Sequence, residues 1–100
     1  MTQYSVILDD RARRDIRDAK HWYRRHGAHL ARELNIEIVR AIDALQDAPL
    51  RWREWRPPFR RLILSKFPYF VVYRIANRQI IVVTLMHQQQ DVNARFPEDP

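Results

Sequence analysis

The part of the chain richest in groups for binding chemistry lies just past its midpoint, where arginine is interleaved with tryptophan. The group consists of Arg51, Trp52, Arg53, Trp55 and Arg56. A guanidinium can bind phosphate oxygens through two parallel hydrogen bonds, and an indole ring can stack on a nucleobase. The same pattern fits a loop whose tryptophans anchor it to the core while its arginines face water. Both interpretations are open, and the first makes all five residues candidates for binding a target or a phosphate.

Positive charge is concentrated in the same region. The whole chain carries 18 Lys and Arg against 12 Asp and Glu, for a net charge of +6. Residues 51–78 hold 8 basic residues and a single acid, Glu54, so this segment alone carries +7. Such a field attracts polyanions, for example nucleic acid, a membrane surface or an acidic protein segment. A surface that merely keeps the protein in solution is the alternative.

Further basic side chains lie on the strands expected after this segment. Arg60 and Arg61 are neighbours, so they point to opposite faces of one strand. Arg74 interrupts an otherwise apolar strand, and its charge needs either an ion-pair partner or a polar groove. Arg61 and Arg74 therefore join the candidates for target or phosphate binding. His87 ends the last strand, where side chains from several elements can converge.

Several catalytic and cofactor chemistries are excluded by composition. The chain has no cysteine, which rules out disulfides, thiolate metal ligands and a Cys nucleophile. Its single glycine rules out a P-loop and a dinucleotide fingerprint, which need several. Neither Ser5 nor Ser65 lies in a nucleophile-elbow context, and the four histidines lack metal-ligand spacing. We therefore expect neither a metal nor a cofactor.

Two carboxylates in the first half also deserve comparison with catalytic pairs. Asp15 and Asp18 share a predicted helix face with Arg11 and Arg14. Exposed pairs of this kind are usually solvated and contribute little to stability. We interpret the face as a solvated salt-bridge surface rather than an acid–base pair.

The first half predicts a strand followed by a helical hairpin. Residues 4–8 alternate as a short strand does, and Asp9 or Asp10 can cap the helix that follows. The first helix is expected from about Arg11 to His26, and a second from about Ala28 to Gln46. Gly27 suits the tight link between them. The apolar stripe of the first helix is Ala12, Ile16, Ala19, Trp22 or Tyr23, and His26; the seam of the second is Ala31, Leu34, Ile38, Ala41 and Leu45.

The second half predicts a loop over residues 50–58 and then three strands. The strands are expected at Phe59–Ser65, Tyr69–Ile75 and Ile80–Met86. The order β-α-α-β-β-β defines an α+β fold, an antiparallel sheet with the helical hairpin packed on one face. We expect a single domain over residues 1–100, with an extended or mobile tail from about residue 88. The last strand is uncharged and β-prone, so it must be paired internally or covered.

The compartment is predicted from what the sequence lacks. The N-terminus shows no charged stretch followed by an apolar one, so we expect no signal peptide. No apolar run is long enough to cross a bilayer. Together with the absence of cysteine, these features favour a cytoplasmic protein with no membrane partner.

The stretch from Arg60 to Ile75 resembles a known family. It reads Arg-Arg-Leu-Ile-Leu-Ser-Lys-Phe-Pro-Tyr-Phe-Val-Val-Tyr-Arg-Ile and is similar to the core of the RelE/ParE toxins of bacterial type II toxin–antitoxin systems. In those toxins a strand that carries arginine leads to Phe-Pro-Tyr. An apolar strand that ends in Tyr-Arg follows, and then a hydrophobic strand that ends near a histidine, which His87 matches here. The resemblance covers nearly the whole chain, and Phe67-Pro68-Tyr69 looks closer to the ParE members.

The resemblance implies a toxin that forms a hetero-oligomer with a cognate antitoxin. The antitoxin would carry an acidic, flexible segment that wraps the hairpin and the sheet. It would cover side chains on the first helix and the last strand, namely Trp22, Tyr23, Ile80, Val82 and Met86.

Members of the family act on one of two targets. ParE-like members inhibit DNA gyrase without catalysis, whereas RelE-like members cut mRNA on the ribosome without a metal. A nuclease would use Arg60 or Arg61, Arg74 and His87, yet the tail lacks the tyrosine that often completes such a site. The ParE pattern after the histidine, an arginine and then Asp-Pro, is replaced by Gln90, Asp91 and Val92. We expect a ParE-like gyrase inhibitor that is not an enzyme; a ribosome-dependent endoribonuclease and an inactive toxin relic within an antitoxin complex are the alternatives.

Overall fold

The computed structural model of the protein describes residues 4–97. Its secondary structure confirms the α+β order and adds two short elements. The helices are α1 (Asp10–His26), α2 (Ala28–Asp47) and α3 (Val92–Arg95); the strands are β1 (Ser5–Leu8), β2 (Glu54–Arg56), β3 (Phe59–Ile63), β4 (Tyr69–Ala76) and β5 (Gln79–His87). The strands form one sheet in the order β1-β5-β4-β3-β2.

The helical hairpin forms where the sequence predicts it. The Asp9 side chain accepts a hydrogen bond from the Asp10 N–H at 2.8 Å, which caps the start of α1. Gly27 links the helices with φ 152°, and a Cβ at this position would lie 3.0 Å from the His29 ring. The predicted seam of α2 is buried at all five positions, which are Ala31, Leu34, Ile38, Ala41 and Leu45. In α1, Ala12 and Ala19 are buried and Tyr23 packs on the core, while Trp22 is exposed.

The sheet has a packed layer on each face. The hairpin covers the larger core, which includes Leu34, Leu45, Tyr73, Ile80 and Val82. A smaller core on the other face is built from Phe70, Val72 and Met86, with Trp55, Phe59, Val83, Val92 and Phe96 packed against it. The β3–β4–β5 meander is antiparallel, as predicted, and Asn77 takes φ 57° in its last turn.

Three details differ from the sequence-based expectation. β1 pairs with β5 in parallel, so the sheet is not wholly antiparallel; the long crossover that a parallel pair needs comprises both helices and the strands β2 to β4. Residues 54–56 form β2 against β3 instead of remaining in a loop, because Trp55 packs on the smaller core. The tail is not simply extended, since α3 and Phe96 dock on the same core.

The apolar last strand is protected within the chain. β5 lies between β1 and β4, which meets the expectation that it be paired internally. Beyond Leu8 the outer edge of β5 is closed by α1, whose preceding residue Asp9 donates its N–H to the Val82 carbonyl at 2.9 Å. None of the helices within residues 4–97 is long and apolar enough to span a membrane.

Candidate binding surfaces

On the face of the sheet away from the hairpin, two arginines stack on aromatic rings. The Arg61 guanidinium lies 4.9 Å from the centre of the Trp55 ring and 5.1 Å from that of Phe70. The Arg56 guanidinium lies 5.3 Å from the same indole. Contacts at this range are attractive because the ring face is electron-rich. We call Trp55, Arg56, Arg61 and Phe70 the cation–aromatic cluster. Within it, the Trp55 indole already contacts two arginines of the same chain.

Trp52 turns to the opposite face and packs against the larger core. Arg60 Nη1 donates to the Trp52 carbonyl at 2.6 Å, and the Arg51 guanidinium lies 5.6 Å from the Trp52 ring. The two tryptophans therefore anchor the segment to both faces of the sheet, as the second sequence interpretation held. Arg51 and Arg53 are exposed to solvent.

Arg74 lines a pocket of mixed polar and apolar side chains, and it forms no ion pair with the described residues. No carboxylate of residues 4–97 lies within 4.0 Å of its guanidinium. The side chain is half-buried and lines a pocket of about 230 Å³ that Arg11 and Arg95 also line. Among residues 4–97 the structure thus shows a pocket around Arg74 and no partner for the alternative ion pair.

His87 contributes to a separate groove between α1 and the ends of β4 and β5. Its ring meets that of Tyr69 edge-on at 5.0 Å, and Tyr69 lies 6.2 Å from Tyr23. The His87 Nδ1 accepts from the Gln89 N–H at 3.1 Å, so Nε2 is the nitrogen left for other partners. Burial, and then the neighbouring Tyr23, raise the pKa of Tyr69. The groove has a volume of about 490 Å³.

The four side chains expected for a nuclease are split between the faces of the sheet. Arg60 and His87 lie on the hairpin side, opposite Tyr73 and Tyr69 of β4. Those partners are four residues apart, which separates them by about 13 Å along the strand. Arg61 and Arg74 contact groups of the other face. The set therefore does not converge on one reacting phosphate.

The residues expected to contact an antitoxin separate into two kinds. Trp22 is 45% exposed and its ring stacks on His26 at 4.0 Å, so it is accessible. Tyr23 is half-buried beside Phe67, with ring centres 5.1 Å apart. The expectation for the last strand is wrong: Ile80, Val82 and Met86 are 0, 1 and 0% exposed, because β5 is covered on both faces.

Another groove, which is largely apolar and which the sequence did not indicate, runs between α2 and β3. It has a volume of about 490 Å³. Ile36 and Ile63 line it and are 49% and 53% exposed. β2 pairs with β3 only at Phe59 and Arg60, so within residues 4–97 the outer edge of β3 beyond Arg60 carries no strand. We call this the α2–β3 groove.

Asp15 has a structural role, which corrects its interpretation as part of a solvated surface. Its carboxylate accepts hydrogen bonds from the buried Thr84 hydroxyl and from the Leu85 N–H, the latter at 3.3 Å. It also lies 3.5 Å from Arg95 Nη2. One carboxylate thus joins α1, the outer edge of β5 and the tail. Asp18 matches the expectation, since it is exposed and 4.0 Å from Arg17.

Glu37 is another polar residue that sequence patterns did not single out. Its carboxylate accepts from the Lys66 N–H at 2.9 Å and from the Ser65 hydroxyl at 3.0 Å, and it also accepts from the Ser65 N–H. Burial acts to raise the pKa of Glu37, but these hydrogen bonds outweigh it and the pKa lies below its usual value. The bonds fix the β3–β4 turn to α2. Within residues 4–97, no group of His, Asp or Glu side chains is arranged to hold a metal ion.

The fold, a five-stranded sheet with a helical hairpin packed on one face, is of the RelE/ParE type. Within that class the chain belongs to the ParE toxin family, since a family profile described as "ParE toxin of type II toxin-antitoxin system, parDE" matches residues 6–92. The resemblance to ParE-like members drawn from the sequence is therefore confirmed.

A solved structure supports the same fold. A chain of the "Chromosomal ParDE TA system from P. aeruginosa" superposes with a TM-score of 0.74 at 19% sequence identity, covering 87% of this chain and 98% of that one. A search of curated proteins finds no significant match.

Proposed function

We propose that this ParE-family toxin inhibits bacterial growth by inhibiting DNA gyrase in the cytoplasm, as a binding protein rather than an enzyme, and that a cognate antitoxin neutralises it. The observation that carries the choice of gyrase over mRNA is the separation of the basic side chains. Arg61 and Arg74 face one side of the sheet, while Arg60 and His87 face the other. RNA cleavage needs a base, an acid and phosphate-binding groups around one bond.

A supercoiling assay tests the target. Purified toxin is added to purified gyrase and relaxed plasmid, and we expect dose-dependent loss of supercoiling at micromolar toxin or below. Pre-mixing the toxin with its antitoxin should restore supercoiling. Full supercoiling at micromolar toxin would exclude gyrase as the target.

The antitoxin site is proposed for the α2–β3 groove together with the exposed Trp22. The groove offers apolar side chains beside an open strand edge, and an extended partner segment can pair with such an edge. Lys66 and Arg40 line it together with Glu33 and Glu37, so these four charges balance and the apolar side chains and the open strand edge carry the proposal.

Two variants of the groove and one matched control test this surface. Ile36→Asp and Ile63→Asp place a charge in the groove and should each weaken antitoxin binding at least about tenfold. Val39→Asp changes a residue of the same helix that is 48% exposed but does not line the groove, and should leave affinity within about twofold. Equal losses for the groove variants and the control would place the antitoxin elsewhere.

A further inference from the structure

The pocket that contains Arg74 brings three arginines together from distant parts of the chain. Arg11 comes from the first turn of α1, Arg74 from the end of β4 and Arg95 from α3. Phe59 and Phe96, whose ring centres are 5.0 Å apart, also line it. We call this the arginine pocket.

Partial burial of the Arg74 charge costs free energy unless an anion or another hydrogen-bonding partner offsets it. The side chain is half-buried on β4, opposite Ile81, in a strand that is otherwise apolar. A buried charge is tolerated when it is paired or hydrogen-bonded, and no carboxylate of residues 4–97 pairs with it. Among residues 4–97 the Arg74 guanidinium therefore has no anionic partner, and a bound anion would offset its partial burial.

The acidic groups around the pocket do not neutralise it. Asp9 lines the pocket, and its carboxylate caps α1 by accepting the Asp10 N–H. Asp15 lies 3.5 Å from Arg95 and offsets that charge. Among the described residues that line the pocket, Arg11 and Arg74 are then left against Asp9, so this lining keeps a positive excess.

We propose that the arginine pocket binds a phosphate group. Guanidinium forks match the oxygens of phosphate, and two or three forks can enclose one tetrahedral anion. The volume of about 230 Å³ lies below the range of about 300–1,000 Å³ usual for whole small ligands, so one phosphoryl group enters and the rest of its molecule stays outside. The phosphate is either free in solution or part of a nucleic-acid backbone. This site does not depend on gyrase being the target.

Calorimetric titration tests the proposal in two arms at constant ionic strength. One arm uses inorganic phosphate and the other a short DNA duplex, each compared with sodium chloride. We expect saturable binding in at least one arm. Tighter binding of phosphate identifies the free anion as the ligand, and tighter binding of the duplex identifies the backbone.

Variants that change charge equally assign the binding to the pocket. Arg74→Gln should weaken the binding at least about tenfold, as expected for losing a charge-assisted hydrogen bond. Arg25→Gln, which alters an exposed arginine of α1 away from the pocket, should change it less than about twofold. If circular dichroism shows that Arg74→Gln does not fold, Arg11→Gln carries the same prediction, because Arg11 is exposed.

Two results would overturn the phosphate site. The first is the absence of binding above the chloride control in both arms. The second is an equal loss for the pocket variants and Arg25→Gln, which would mean that only the general positive field attracts the anion.

Discussion

The two faces of the sheet are built in different ways. Under the hairpin, helix residues such as Leu34 and Leu45 meet strand residues such as Tyr73, and the layer is apolar and closed. On the other face a small aromatic core is rimmed by Arg61 and Arg74 and covered by a short tail helix. The first face has the composition of a folding core. The second face combines aromatic packing with arginines, of which Arg61 stacks on Trp55 and Phe70 and Arg74 lines a pocket.

The comparison predicts the largest loss of stability on the hairpin face. Leu34 is fully buried between α2 and the sheet, so Leu34→Ala should lower the free energy of unfolding by about 2–5 kcal/mol. Urea unfolding followed by circular dichroism measures the change. A loss below about 1 kcal/mol would mean that the hairpin contributes far less than its burial implies.

The other face should be less sensitive. Phe96 is half-buried against Trp55 and Phe59, with ring centres 5.6 and 5.0 Å away. Phe96→Ala should cost about 1–2 kcal/mol, because only part of the ring area is removed from water. Phe96→Leu is the control, since it keeps most of the apolar volume and should cost clearly less. A loss equal to that of Leu34→Ala would erase the contrast between the faces.

The smallest predicted effect depends on pH. The buried Tyr73 hydroxyl donates to the Pro49 carbonyl at 2.7 Å, and burial raises the pKa of Tyr73 to about 12 although the nearby Arg60 acts to lower it. Tyr73→Phe should cost about 1 kcal/mol at neutral pH. The unfolded chain loses this proton near pH 10, so the stabilisation is complete below pH 10 and declines as the pH rises toward about 12.

Unfolding experiments at several pH values check this prediction. The difference between the wild-type chain and Tyr73→Phe isolates Tyr73 from Tyr23 and Tyr69, whose pKa values burial also raises. A difference that stays constant from pH 8 to pH 11.5 would contradict the account.

Local patterns predicted much of the fold because the main elements are strongly periodic. The spacing from Ala31 to Leu45 identifies the buried seam of α2, and the single glycine identifies the link between the helices. The parallel pairing of β1 with β5 was not predictable in this way, since its partners are more than 70 residues apart. β2 and α3 depend on rings that meet only after the sheet has formed, as Trp55 and Phe96 do.

Candidate binding residues were predicted less well than the fold. The sequence identifies Arg61 and Arg74 as notable charges but cannot show that Arg11 and Arg95 lie beside Arg74. Ile80, Val82 and Met86 look like an exposed apolar edge until the sheet order places them inside. The roles of Asp15 and Glu37 rest on contacts across many residues, for which the chain carries no local signal.

One comparison of activities tests the central claim most directly. The same toxin preparation is assayed for inhibition of gyrase supercoiling and for cleavage of mRNA in a translating extract. The separation of the basic side chains predicts intact mRNA, and the proposed function predicts inhibition of supercoiling. Cleaved mRNA with unimpaired supercoiling, lost again in His87→Ala, would contradict the claim that this toxin acts by binding gyrase.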